Sequence, residues 1–188
     1  MQTIVLKECG YDEAMLGLSL SHNQYPANMA DVADKLAHKG DGHNKFLESI
    51  AVWIDVTAPR YWWQQFSTYR IGTSAQSEST MHTILKWELR QSDFEGNVHP
   101  DYLEHLNNLI KEGKLVEVKQ ALPESFLQRR IVCTNYATLQ RIERQRRTHK
   151  LPEWQSFCDS VLLGVKYPKW VSEKWKEFID KATRWSDL

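Results

Sequence analysis

Cysteine is scarce here, and what there is cannot pair off: Cys9, Cys133 and Cys158 are the only three in 188 residues. An odd, widely spaced set with no Cys-x-x-Cys pair argues against a disulfide framework or a structural zinc site. Reduced, buried thiols in a cytoplasm are the expectation. Long apolar runs are missing too, since nothing approaches the roughly 20 apolar residues of a membrane span. The opening MQTIVLKECGYDE has no basic flank followed by an apolar stretch, so no signal peptide is expected and the location predicted is cytoplasmic. Net charge is absent: Lys plus Arg and Asp plus Glu both total 24. That balance argues against a nucleic-acid coat, while a local basic site stays open. Glycine-rich signatures are also lacking, with no dinucleotide fingerprint or P-loop. Hydroxyls and histidines are scattered, without the glycines of a nucleophile elbow.

What is present reads as one domain spanning residues 1–188, long enough to bury a core without staples. MQTIVLKE predicts a short strand. Met29, Val32 and Leu36 fall at helical spacing within 28–38, and Gly40 follows as a stop. In SIAVWIDVT, Ile50, Val52, Ile54 and Val56 alternate with Ala51, Trp53, Asp55 and Thr57, the period-two pattern of a half-buried strand. Pro59 suits the first turn of a helix whose face carries Trp62, Phe66 and Tyr69, with Gly72 and a Ser/Thr cluster ending it. Another helix is predicted from Pro100 to Glu112, with Leu103, Leu106 and Ile110 inward and Gly113 as its cap. IVCTN (131–135) reads as a strand leading into a helix to about 149. Pro152 opens a helix with Trp154, Phe157 and Val161 facing in. A C-terminal helix is expected over about 168–184, carrying Trp170, Val171, Trp175, Phe178 and Ile179. The fold class predicted is α+β, a small antiparallel sheet packed with several helices.

Three constellations bear on chemistry. Arg129 and Arg130 precede IVCTN, and Arg141, Arg144, Arg146 and Arg147 follow on the next helix, with Glu143 the one carboxylate between Arg129 and Lys150. Arginine forks match phosphate in two-point geometry, but a solvated helix face with cations toward its C-terminal end explains the cluster equally. HKGDGH (38–43) matches no helical metal-binding spacing and reads as a flexible connector; no metal is predicted. Gln65, Arg70, Thr73, Ser74, Gln76, Ser77 and Ser79 cluster at and beyond a helix end. Composition favours a surface loop, though such groups also suit an anion or nucleotide site.

The run GHNKFLESIAVWIDVTAPRYWWQQFSTYRIGTSAQSESTMH resembles the core of flavin-dependent thymidylate synthases, the ThyX type. There, a His/Phe-Glu segment leads into a strand, then Ala-Pro, a Gln-bearing helix, an Arg-His-Arg triplet and a loop ending in Ser-x-Arg. EGKLVEVKQALPESFLQRRIVCTNYATLQRIERQRRTHKLPEW resembles the family's second half, so the likeness runs over about 40–165. The resemblance implies a thymidylate synthase-complementing-protein-like fold. It places Gln65, Ser79, Arg129 and Arg146 where the family binds deoxyuridylate. Tyr69 and Arg70 fall in the triplet, Asn135 matches a flavin-holding asparagine, and Arg141 lies near another flavin contact. It further implies FAD, with NADPH and methylenetetrahydrofolate as co-substrates, and a homotetramer with shared sites. In the family, reduced flavin relays a one-carbon unit to uracil C5 of dUMP without a protein cysteine.

The departures are specific. The triplet reads Thr68-Tyr69-Arg70, the loop is one residue longer, its Asn-Glu pair is Gln76-Ser77, the arginine of Ser-x-Arg is Met81, and another expected arginine is Ala137. Each lost charge-assisted contact is worth about 1.5–3 kcal/mol. Lys45 and Arg60 are candidate replacements for the charge, and Tyr69 for a stacking ring. Two functions therefore stand side by side: a thymidylate synthase-like flavoprotein methyltransferase, and a non-catalytic nucleotide- or partner-binding protein on the same scaffold. A nucleic-acid-binding reading rests on the basic helix alone.

Overall fold

A computed structural model describes residues 1–186, with side chains to Asp180. Four strands form one sheet in the order β1-β2-β4-β3, with β1 at Gln2–Cys9, β2 at Ala51–Pro59, β3 at Ser74–Ser77 and β4 at Leu127–Asn135. The pairing is antiparallel. Tyr136 N donates to Ile50 O at the start of β2 (3.1 Å), and Arg60 N donates to Phe126 O just past its other end (3.1 Å). In β2 the alternation holds along the whole strand: Ile50, Val52, Ile54 and Val56 are all buried. The edge strand β3 is fully exposed and polar in sequence, so only backbone pairing marks it. It lies inside the Ser/Thr stretch that reads as a loop, which is a correction to that expectation.

The helices are α1 (Tyr11–His22), α2 (Ala30–Leu36), α3 (Arg60–Phe66), α4 (Thr80–Thr83), α5 (Pro100–Lys111), α6 (Leu115–Ala121), α7 (Tyr136–Arg146), α8 (Pro152–Gly164), α9 (Pro168–Val171) and α10 (Trp175–Ser186). Three local expectations shift. Pro59 caps α3 from outside rather than opening it, and α3 stops at Phe66, so Tyr69 lies past the helix. The single tail helix is broken at Ser172, Glu173 and Lys174 into α9 and α10. No sequence signal announced α1, because Leu16 and Leu20 are exposed and its apolar residues do not fall on one face.

The contacts divide into two compact units, and β2, β3 and β4 each contribute residues to both. One unit comprises 1–2, 56–68 and 76–130. Its core packs Ile84, Leu89, Phe94, Leu106, Val118 and Phe126. Asn107 is buried among them without penalty, since its amide accepts from Leu89 N (2.8 Å) and donates to Leu89 O (3.0 Å). Gly113 follows α5 at φ 71°, the left-handed conformation that ends a helix there.

The other unit comprises 3–55, 69–75 and 131–188. Trp154, Phe157 and Val161 of α8 are buried as their spacing predicts. Gln140 of α7 is buried and donates to Ala37 O (2.8 Å) and Trp170 O (2.9 Å), so one amide ties α7 to the end of α2 and to α9. Among the thiols, Cys158 is buried, Cys133 half-buried and Cys9 exposed, so the expectation of buried cysteines fails at Cys9; all three are free. Among the described residues no helix is long and apolar enough to cross a membrane.

Candidate functional site

In the first unit, α3 delivers two glutamines at its end and β4 delivers two arginines. Strand alternation sends Arg129 and Arg130 to opposite faces. Arg129 is exposed, whereas Arg130 is half-buried with its guanidinium 4.4 Å over the ring of Trp63. Trp63 is itself fixed, because its indole N–H donates to Gln128 O (2.8 Å). Arg130 donates to Gln128 Oε1 (2.9 Å), and its Nε is buried without a hydrogen-bond partner. Burial pushes the Arg130 pKa below its ordinary value.

Gln65 is half-buried, and its carbonyl accepts from the Thr68 hydroxyl at 2.8 Å. Ser79 precedes α4, is exposed, and does not spend its side chain on capping. The loop before it is held to β4 by Glu78 N donating to Arg129 O (2.9 Å) and Gln128 Nε2 donating to Glu78 O (3.1 Å). Arg60 donates to Leu122 O (2.9 Å) and lies 3.5 Å from Glu124. Its charge is therefore already engaged in holding the 122–124 turn.

In the second unit, the segment after Thr68 is knitted onto the start of α7. Asn135 caps that helix, its Oδ1 accepting from Thr138 N (2.9 Å). Gly72 lies against the cap at φ 71°; a Cβ there would come within 2.7 Å of Thr138 Oγ1 and 2.9 Å of Asn135 Nδ2. Only glycine allows this approach. Thr134 donates to Gly72 O (3.0 Å), and Thr138 and Arg141 both donate to Ile71 O (3.3 and 3.2 Å).

Tyr69 is 7% exposed. Its hydroxyl accepts from Arg146 Nε (2.9 Å) and donates to Gln145 Oε1 (2.9 Å). The Arg146 guanidinium sits 4.7 Å from the Trp154 ring centroid and 5.6 Å from that of Tyr69, while Arg141 lies 6.0 Å from the Tyr69 ring. Next to this group Arg70 is exposed, and Ile71 is 78% exposed, an unusual degree for a large apolar side chain beside two arginines.

The structure thus places Gln65, Ser79 and Arg129 in one unit and Tyr69, Arg70, Asn135, Arg141 and Arg146 in the other. Tyr69, Arg141 and Arg146 meet directly; Asn135 meets the loop through Gly72. Arg147, by contrast, is a structural cation: it pairs with Glu143 (2.8 Å) and Asp159 and lies over Phe178. Sequence reasoning missed Trp154, Gln145 and Ile71 as parts of this surface. Trp154 was read as a core residue only, and Gln145 and Ile71 carried no spacing signal.

A cavity of about 550 Å³ lies elsewhere in the second unit, lined by α1 residues including Gly17 and His22 and by His43, Lys45, Phe46 and Glu48. Lys45 therefore faces that cavity and not the Tyr69 group. Among the described residues no cluster of three or more His, Cys, Asp or Glu side chains is arranged to hold a metal.

No protein-family model matches this chain, and no curated protein matches its sequence. Solved structures do match. A flavin-dependent thymidylate synthase ThyX from Helicobacter pylori, in complex with FAD and dUMP, superposes with a TM-score of 0.78 at 17% identity, covering 92% of this chain and 99% of that one. A second structure of the Helicobacter pylori enzyme with FAD and dUMP gives 0.76 at 19% identity, covering 93% and 98%. The chain has the ThyX-like α+β fold expected from its sequence.

Proposed function

We propose that this chain is a flavin-dependent thymidylate synthase-like protein that binds a pyrimidine deoxynucleotide, with Gln65, Ser79, Arg129 and Arg146 as its nucleotide-binding groups. The observation that carries the reading is the likeness of fold over nearly the whole length of both chains, to proteins solved with dUMP and FAD. The retained residues agree with it chemically. Arginine forks suit a phosphate, and a glutamine amide and a hydroxyl suit the polar edge of a pyrimidine.

The residues of the second unit fit FAD. Arg70 and Arg141 bring two guanidiniums beside an exposed Ile71, a combination of cation and apolar surface suited to a phosphate-bearing ring system. Arg70, Asn135 and Arg141 would hold the cofactor, and Tyr69 would support them from beneath. FAD would supply the redox chemistry for moving a one-carbon unit from methylenetetrahydrofolate to uracil C5, with NADPH as reductant. The chain's own part is to orient the nucleotide and to stabilise charge through Arg129 and Arg146. We propose further that the chain works as a cytoplasmic homotetramer built from a single domain.

One observation favours a second reading, nucleotide binding without turnover. Two of the three triplet positions point their polar atoms inward: the Thr68 hydroxyl goes to Gln65 O and the Tyr69 hydroxyl is buried. The visible spectrum of the purified protein with added FAD separates the two readings. Flavin uptake together with conversion of dUMP to its 5-methyl product supports the enzyme. Absence of flavin uptake, with dUMP still bound, supports the second reading. Equal dUMP affinity in wild type, Arg129→Ala and Arg146→Ala would remove the residue assignment.

A further inference from the structure

We infer that Tyr69 is a positioning residue that holds Arg146 ready for the anionic part of a nucleotide, a role that rests on the nucleotide-binding reading above. The direction of its hydrogen bonds is dictated by chemistry. Arginine has donors only, so the Tyr69 oxygen must accept from Arg146 Nε, and its own proton must go to Gln145 Oε1. A phenol is the side chain that satisfies both demands from a 7% exposed position.

The platform under Arg146 is rigid. Trp154 is fully buried, and its ring meets that of Tyr69 edge to face at 6.0 Å. The guanidinium rests 4.7 Å from Trp154 and 5.6 Å from Tyr69, within cation–π range of both. A free arginine samples many rotamers and loses that freedom on binding. Here the bond at Nε and the two rings set the plane of the fork beforehand. Tyr69 takes Nε and neither terminal nitrogen, the pair that grips a phosphate in two-point geometry. Arg141, 6.0 Å from the same phenol ring, adds a second cation. A tyrosine at the middle triplet position therefore acts through Arg146 and not by stacking on a cofactor.

The test is calorimetric titration of dUMP into wild type, Tyr69→Phe and Arg146→Ala, with thermal melts of each. Tyr69→Phe keeps the ring and deletes one oxygen. Its dUMP affinity is expected to fall about 3- to 10-fold, the cost of ordering one long side chain. Arg146→Ala should lose more, about 10- to 100-fold, because a charge-assisted contact goes with it. The second readout needs no ligand: the Arg146 Nε–H should exchange slowly with solvent in wild type and fast in Tyr69→Phe. Wild type that fails to bind dUMP at millimolar concentration overturns the nucleotide reading and this role with it. Wild type that binds, with Tyr69→Phe equal to it, overturns the positioning role alone. A Tyr69→Phe loss as large as that of Arg146→Ala would mean that Tyr69 touches the nucleotide itself, which also overturns it. Fast Nε–H exchange in the wild type does the same, even if Tyr69→Phe proves too unstable to titrate.

Discussion

The guanidinium of Arg130 lies 4.4 Å over the indole of Trp63 while its own Nε has no hydrogen-bond partner. Two effects oppose each other at this contact. Cation–π attraction is worth about 0.5–2 kcal/mol, whereas an unsatisfied buried donor costs about 1–3 kcal/mol. The near balance predicts that Arg130→Met, which keeps the cover over Trp63 without the charge, changes stability by less than about 1 kcal/mol. Arg130→Ala removes the cover as well and should destabilise by about 1–3 kcal/mol, since the stem of an arginine packs like an apolar chain. Urea denaturation of both variants decides it. A large loss in Arg130→Met would show that the charge, and not the packing, is needed.

Gly72 and Gly113 share a φ of 71° but differ in surroundings. A Cβ on Gly113 meets open space, while one on Gly72 runs into Thr138 Oγ1 and Asn135 Nδ2. Gly113→Ala should cost about 1 kcal/mol, the strain of the left-handed region alone. Gly72→Ala should cost about 2–4 kcal/mol, because steric overlap with the cap of α7 is added. Equal losses in the two would mean that the Gly72 loop yields freely and is not held against the helix.

The elements that were legible in the sequence are those whose side chains face one environment. Ile50, Val52, Ile54 and Val56 alternate and are buried, and Trp154, Phe157 and Val161 repeat at helical spacing and are buried. Helix α1 escaped because Leu16 and Leu20 point outward, and β3 escaped because its backbone pairs while its polar side chains stay exposed. The site divides the same way. Arg146 could be singled out as one of a run of cations, and Asn135 as a helix opener. The bond between Tyr69 and Arg146 spans 77 residues of chain and depends on where the loop after α3 comes to rest, which no local pattern encodes. The resemblance to a known family supplied the positions; the structure supplied the partner.

Asn135 is expected to serve two ends that substitution can separate. Asn135→Asp keeps an oxygen for Thr138 N at 2.9 Å and adds negative charge at a helix N-terminus, so stability should hold or rise by a few tenths of a kcal/mol. The same change replaces an amide donor with an acceptor and brings an anion toward a phosphate-bearing cofactor. Flavin uptake, followed by absorbance, should fall at least several-fold. Asn135→Ala should cost about 1 kcal/mol in stability. Unchanged flavin uptake in Asn135→Asp would remove this residue from the cofactor site.

Asp34 gives the fold a pH dependence with a definite sign. Burial alone raises its pKa, but hydrogen bonds from Lys169 (2.7 Å) and from the Trp170 indole (2.7 Å), with the Lys169 charge, bring it below its ordinary value of 3.8. A carboxyl depressed in the folded state contributes stability that is fully present above its unfolded value and lost as pH falls through the lower folded value. Wild type should therefore exceed Asp34→Asn in thermal stability at pH 7, and the gap should close below about pH 3. The pair is partly exposed, so high salt should narrow the gap at pH 7. A gap that persists unchanged at pH 2 would mean that the carboxylate charge plays no part in holding α9 to α2.

The three thiols should sort themselves by reactivity. Cys9 is exposed, Cys133 is half-buried, and Cys158 is buried. Burial raises the Cys133 thiol above its ordinary value, and at Cys158 burial, followed by the nearby Glu143 carboxylate, pushes it far higher. Only the thiolate attacks an alkylating agent, so exposure and acidity act together. At pH 7.5, Cys9 is expected to label first, Cys133 at least about tenfold more slowly, and Cys158 only on unfolding. Mass spectrometry of peptides after timed iodoacetamide treatment reads all three. Early labelling of Cys158 in the folded protein would show that the face of α8 against Glu143 opens far more readily than its packing allows. Thymidylate synthesis of the flavin type uses no protein thiol. Full labelling of Cys9 should accordingly leave dUMP binding unchanged.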